Sequence, residues 1–193
     1  MSLAYFITHP DVVIDPAVAV PDWRLSALGI ARMRAFAKQP WLSSVRALFC
    51  SRERKAVDGA AILAEALGFN SVVLEALAEN DRSATGYLAK DEFEKTADAF
   101  FARAHESVRG WERAVDAQRR IIAAMDEVLR LAPIDGDVAV TSHGGVGALY
   151  LSHLKGRAID RSCEQPAGNG GNFFAFERHS RRLVLDWRSI DER

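Results

Sequence analysis

An α/β fold, with a mostly parallel central sheet and helices on both of its faces, is predicted for this 193-residue chain by three observations. Apolar runs of strand length, rich in Val, Phe and Leu, alternate with longer segments of helical period, the signature of βα units. Two further strand-length runs lie close together near the end of the chain, which suits an antiparallel hairpin at a sheet edge. The composition is that of a globular chain: 49% hydrophobic, 26% charged, with 25 Lys and Arg against 26 Asp and Glu. A folded chain of this mass buries about 70% of the surface it exposes when unfolded, so no stapling is needed. A single domain over 1–193 is expected, with a lid or specificity insertion at about 80–110.

The strand runs fall at 3–8, 47–50, 72–74, 138–142, 173–177 and 183–187. The first helix opens at Ser26, whose hydroxyl suits an N-cap; it presents Ile30, Met33 and Ala37 on one face and stops before Pro40. The second begins near Lys55, carries Ala56, Ala60, Leu63 and Leu67 on one face, and ends at Gly68. Between Glu79 and Gly110 stand Tyr87, Leu88, Phe93, Phe100 and Phe101, with a helical stretch at 91–103; these aromatics suit a lid and a plain packing helix equally. A long helix over 111–131 places Trp111, Val115, Ile122, Met125 and Leu129 on a core-facing stripe. Gly144-Gly145 follows the run 138–142 directly and starts a last helix, Val146 to about Leu154.

A formal net charge of −1 excludes a partner held by the whole surface, such as nucleic acid or an anionic membrane. The chain has no apolar run of membrane-spanning length and no secretory pattern at its start, so a cytoplasmic protein is expected. Cys50 and Cys163 are too few for a disulfide framework or a zinc ribbon, and neither a metal nor a cofactor is called for.

His9 and His143 each follow a strand run directly. Ligands of open parallel sheets bind at the carboxyl ends of the strands, so the two can converge across the sequence, although either alone is more often a hydrogen-bonded loop residue. Ser51-Arg52-Glu53-Arg54-Lys55 follows a third strand and opens a helix, where free backbone N–H groups and positive charge favour phosphate or another anion. The plain alternative is a solvated first turn. Gly144-Gly145 repeats that geometry and lets a ligand approach the backbone.

Taken in order, these segments resemble the histidine phosphatase superfamily, with its phosphoglycerate-mutase-like three-layer fold. Thr8-His9-Pro10 stands where the family has Arg-His-Gly. Leu25-Ser26-Ala27-Leu28-Gly29 is similar to its Leu-Ser/Thr-x-x-Gly helix start, and Ser51-Arg52-Glu53-Arg54-Lys55-Ala56 to Ser-Pro-Leu-x-Arg-Ala. Leu77-Ala78-Glu79 resembles the Leu-x-Glu segment, Glu106-Ser107 the Gly-Glu-Ser segment, Ser142-His143-Gly144-Gly145 the second histidine motif, and Asn169-Gly170-Gly171 the late Asn-Gly-Ser turn.

The resemblance implies a phosphomonoesterase without metal or cofactor, acting through a phosphohistidine on a small phosphorylated molecule or a phosphoprotein. His9 would be the nucleophile, His143 a donor to a phosphoryl oxygen, and Glu79 the general acid, with Asp81 its rival. Lys55, Arg54, Thr8 and Gly144 would bind phosphate; Arg82, Asp15 and Asn169 are further pocket candidates. Both motif arginines are replaced, by Thr8 and Lys55, and Pro10 removes a backbone donor. Asp11 and Asp15 would oppose an anion unless a cation such as Arg54, Arg52 or Arg82 compensates them. The alternative function is therefore a catalytically impaired member that binds a phosphorylated ligand without turnover. Oligomeric state and substrate identity are not specified.

Overall fold

The computed structural model describes residues 2–166 and 168–192. Strands β1 (Leu3–Thr8), β2 (Val45–Cys50), β3 (Val72–Val73), β4 (Asp137–Ser142), β5 (Asn172–Glu177) and β6 (Leu183–Ser189) form one sheet in the order β3-β2-β4-β1-β5-β6. The pairs β3–β2, β2–β4 and β4–β1 are parallel, while β5 runs antiparallel to β1 and pairs with β6 as the expected edge hairpin. Each of the six anticipated strands is present, with boundaries shifted by two residues or fewer.

The helices are α1 (Ala27–Phe36), α2 (Arg54–Leu67), α3 (Lys90–Ala102), α4 (Ala114–Leu131) and α5 (Gly144–Leu154). Ser26 caps α1 as expected, its Oγ accepting the N–H of Gly29. Gly68 ends α2 at φ 77°, a left-handed conformation that costs glycine little.

Alternation along β1 divides the core into two layers, one on each face of the sheet. Phe6 joins Val138, Val140, Phe174 and Phe176 beneath α4 and α5. Tyr5 and Ile7 point the other way, to Met33 and Phe36 of α1 and Ala60 and Leu63 of α2. The result is the predicted three-layer arrangement. The aromatics of α3 do not all face a cavity: Phe100 and Phe101 are buried against Trp111, Ala148 and Leu149.

The face of α4 differs from the expected stripe. The helix starts at Ala114, because Arg109 takes a left-handed φ of 53° in the preceding turn and leaves Trp111 outside the helix. Its buried face is Ala114, Ala117, Ile121, Ala124, Met125 and Val128, whereas Val115, Ile122 and Leu129 are only half-buried. Alanines at the contact let α5 approach closely, so small residues rather than the largest ones define the face. Ile121→Ala should therefore cost about 2–5 kcal/mol, the range for a truncated core side chain, and Ile122→Ala clearly less. Urea unfolding of the two variants checks this, and equal losses would contradict the assigned face.

Candidate active site

The strands β1, β4 and β2 lie side by side and parallel, so their carboxyl ends open at one place. Two backbone bonds carry the ladder a residue further, His9 N–H to Ser142 O at 3.1 Å and Ser51 N–H to Thr141 O at 3.0 Å. His9, Ser51 and His143 are thereby brought together. The rings of His9 and His143 stand 5.3 Å apart, inclined at 66°.

His9 Nδ1 lies 3.0 Å from Pro10 O. A carbonyl can only accept, so Nδ1 carries the proton and Nε2 keeps its lone pair. Burial, with His143 and Lys55 nearby, pushes the pKa of His9 down to about 3, so the ring is neutral at physiological pH. His143 is fully buried, and burial lowers its pKa too. Ser51 Oγ accepts Glu53 N–H at 3.2 Å and lies 2.7 Å from His143 Nε2. A hydroxyl both donates and accepts, so this contact is satisfied by either imidazole tautomer. The other ring nitrogen, Nδ1, is buried with no hydrogen-bond partner among the described residues, a deficit of roughly 1–3 kcal/mol unless an incoming ligand meets it.

At the start of α2 the ammonium of Lys55 is buried, 2.5 Å from Glu53 Oε2 and 2.9 Å from Val20 O. Glu53 is a site residue that the sequence reading did not single out. Its Oε1 accepts Glu79 N–H at 2.8 Å and lies 3.5 Å from His143 Nε2. Burial opposes its ionised form, but His143, Lys55 and the hydrogen bonds it accepts outweigh burial and bring its pKa to about 2. Arg54 is not in the pocket: its exposed side chain pairs with Asp58 at 2.7 Å, one turn along α2. Helical geometry turns consecutive side chains about 100° apart, so Arg54 and Lys55 cannot both face inward.

Glu79 is held as a carboxylate. Oε1 accepts the N–H groups of Val146 at 2.9 Å and Asn80 at 3.0 Å; Oε2 accepts Gly145 N–H at 3.0 Å and faces Arg82 Nη2 at 3.1 Å. It caps the N-terminus of α5, where a negative charge is favoured. Burial would raise its pKa, yet Arg82, His143 and the backbone donor at Gly145 hold it below the usual value. A Cβ at Gly145 would stand 2.6 Å from Oε1, so this contact needs glycine. The expected role of Glu79 as a proton donor is thus opposed by its surroundings. Arg120 fixes the loop that carries it, donating to the carbonyls of Ala76, Ala78 and Glu79 at 2.9, 2.8 and 3.2 Å while its fork grips Glu112.

Of the further candidates, only Arg82 enters the site, bonded to Asn80 Oδ1 and stacked over the rings of Phe93 and Trp111 at 5.0 and 5.1 Å. Asp81 is exposed and caps a turn at Ser83 N–H, and Asp15 is exposed and accepts Ala17 N–H. Asn169 donates to Asp11 Oδ1 at 2.8 Å. The cation that compensates Asp11 is Arg32, at 2.7 Å, and not Arg52, Arg54 or Arg82. Thr8 is buried and structural: its Oγ1 accepts Asn172 N–H and lies 2.8 Å from Gln165 Oε1. Gln165 was also missed. Its Nε2 stands 2.3 Å from where a Cβ on Gly144 would lie, so an amide donor covers the first residue of α5. Among the described residues no three His, Cys, Asp or Glu side chains come together as a metal site.

The sequence model of the histidine phosphatase superfamily (branch 1) matches residues 16–183. The chain belongs to that superfamily, and the matched span begins after His9. A search of curated proteins gives no match. Among solved structures, a mycobacterial glucosyl-3-phosphoglycerate phosphatase in complex with inorganic phosphate is 21% identical with a TM-score of 0.78, each chain covered in full. YhfR of Bacillus stearothermophilus is 18% identical with a TM-score of 0.80, again over both whole chains. At these identities the likeness is one of fold.

Two outcomes test the site's electrostatics. Lys55→Met strands the Glu53 charge and should cost about 3–5 kcal/mol, of which the double variant with Glu53→Gln recovers a large part; chemical denaturation measures both. The folded pKa of His9 lies near 3 against 6.5 when unfolded, so between those values the unfolded chain binds more protons and stability falls as pH is lowered. His9→Gln should flatten this part of the pH–stability curve, measured from pH 7 to 4.

Proposed function

We propose that the chain is a phosphomonoesterase that passes its phosphoryl group through His9. The observation that carries this is the pair of half-satisfied imidazoles: a neutral His9 with its Nε2 lone pair free, beside a buried His143 whose Nδ1 has no hydrogen-bond partner among the described residues. One ring supplies a nucleophile and the other a donor for a phosphoryl oxygen. Gln165 Nε2 and the backbone N–H of Gly144, at the α5 N-terminus, serve the remaining oxygens, with Lys55 and Arg82, each paired with a carboxylate, behind them. The nucleophile's lone pair forms the P–N bond as the P–O bond breaks toward the leaving oxygen; water then attacks phosphorus, and the P–N electron pair returns to His9.

Substrates in this reading are phosphorylated small molecules or phosphoproteins. One structural neighbour bears the name of a glucosyl-3-phosphoglycerate phosphatase in complex with inorganic phosphate, which supports a phosphorylated substrate for a chain of this fold. Segment 80–110, with the Tyr87 ring tilted against Trp23 at 5.7 Å, acts as the lid. Hydrolysis of 4-nitrophenyl phosphate with EDTA present should fall at least about 10³-fold in His9→Ala; activity that survives the substitution rules the mechanism out.

A second reading has its own observation, the carboxylate of Glu53 seated on Lys55. A cation already neutralised attracts a phosphate dianion less, which suits a protein that holds a phosphorylated ligand without turnover. Vanadate binding by calorimetry, combined with no hydrolysis across a phosphoester panel, would favour that reading over the first.

A further inference from the structure

The surroundings of Glu79 restrict what can leave from phosphorus. A carboxylate has about four lone-pair positions; Glu79 accepts three N–H groups, of Val146, Asn80 and Gly145, and has the Arg82 guanidinium 3.1 Å away as an ion-pair partner. A proton on the edge that faces Val146 or Gly145 would break a contact that anchors α5. Three hydrogen bonds and a guanidinium on one carboxylate hold it in its ionised form, with no proton to give.

No neighbour replaces it as an acid. Glu53 is occupied by Lys55 Nζ and Glu79 N–H. Arg82 is a guanidinium, which does not give up a proton in proteins. Lys55 is held by Glu53 and the Val20 carbonyl, and an ammonium is a far weaker acid than a carboxylic acid. His143 carries one proton, and losing it would create an imidazolate. Asp81, the remaining carboxyl of that loop, is exposed and engaged with Ser83.

We infer that this site takes phosphoryl groups from leaving groups of low basicity, namely acyl phosphates, phosphoanhydrides and esters of acidic phenols, which depart as anions without a proton. The inference rests on the phosphatase reading above and sets its substrate class by leaving group, with anhydrides added to the aryl monoesters. The steps balance without an acid. His9 Nε2 donates its pair to phosphorus, and the P–O bond breaks with its pair on the departing carboxylate, phosphate or phenolate. In the second step water attacks, the P–N pair returns to an imidazole that keeps its Nδ1 proton on Pro10 O, and the water proton passes to solvent. Imidazole likewise leaves as a neutral molecule and needs no proton.

The test uses the wild-type chain, a series of substituted phenyl phosphates of similar size, acetyl phosphate and an alkyl phosphate. With no acid at work, kcat/KM should fall steadily as the leaving phenol becomes more basic, and the alkyl ester should lie below the 4-nitrophenyl ester by at least about 10²–10⁴-fold, the usual contribution of a general acid. Acetyl phosphate should be among the best substrates. A flat series, with alkyl and aryl esters turned over at comparable rates and both abolished in His9→Ala, would overturn this inference alone. No turnover of any member, acetyl phosphate included, overturns the phosphatase reading and this inference with it.

Discussion

The site depends on the parallel pairing of β4 with β1 on one side and β2 on the other. Because those three strands run the same way, their exits are neighbours, and the backbone bonds His9 N–H to Ser142 O and Ser51 N–H to Thr141 O hold the first residue of each loop in register. Two histidines far apart in sequence become ring neighbours through backbone hydrogen bonds alone. Everything added afterwards, the Ser51 hydroxyl on His143 and the Pro10 carbonyl on His9, satisfies a ring nitrogen rather than setting position. A sheet core packed on both faces makes such a frame stiff, which the proposed attack of His9 on phosphorus requires.

Charge in the pocket is compensated pair by pair. Lys55 has Glu53, Arg82 has Glu79, and Arg32 at the rim has Asp11 and Asp191. Such pairs add little net stability when buried but are costly to break singly. The field left for an anion therefore comes largely from dipoles: the start of α5, the His143 N–H and the Gln165 amide. A chain with net charge −1 can in this way present donors to phosphate without carrying a surplus cation.

The strands β1, β2, β4 and β5 were legible because both faces of the sheet are covered there, so each is a short, largely apolar run; β6 alternates between half-buried and exposed residues as an edge strand does. The α4 stripe was misplaced because large side chains were weighted above Ala114, Ala117 and Ala124, which mark where α5 comes closest. Around the site, strand ends and family-like motifs pointed to His9, Lys55, Glu79 and His143, and these do meet. Arg54 could have been separated from Lys55 by helical periodicity alone. Glu53 carried a signal too, an acidic residue at a motif position the family fills with leucine. Gln165 carried none, since its contact with Thr8 spans 157 residues and depends on the loop after α5. Arg32 could not be matched to Asp11 before the packing of α1 was known.

The capping of α5 and the storage of an acidic proton are exclusive uses of one carboxyl. To remain protonated at pH 7, Glu79 would need its pKa raised from 4.5 to at least 7, about 3.4 kcal/mol against the ionised form. Burial pushes that way, but the helix N-terminus alone returns about 0.3–1 kcal/mol in favour of the charge. Arg82, at 3.1 Å, adds an opposite charge that favours the ionised form further. A proton on the lone pair facing Val146 or Gly145 would leave that N–H without its acceptor. Freeing the carboxylate from α5 requires the loop from Ala76 to Arg82 to retract. Arg120 opposes that retraction by gripping three of the loop's carbonyls from α4. The ionisation of Glu79 is thus a property of how α4, α5 and this loop pack together, and the leaving-group preference inferred from it would follow from the fold more than from any one side chain.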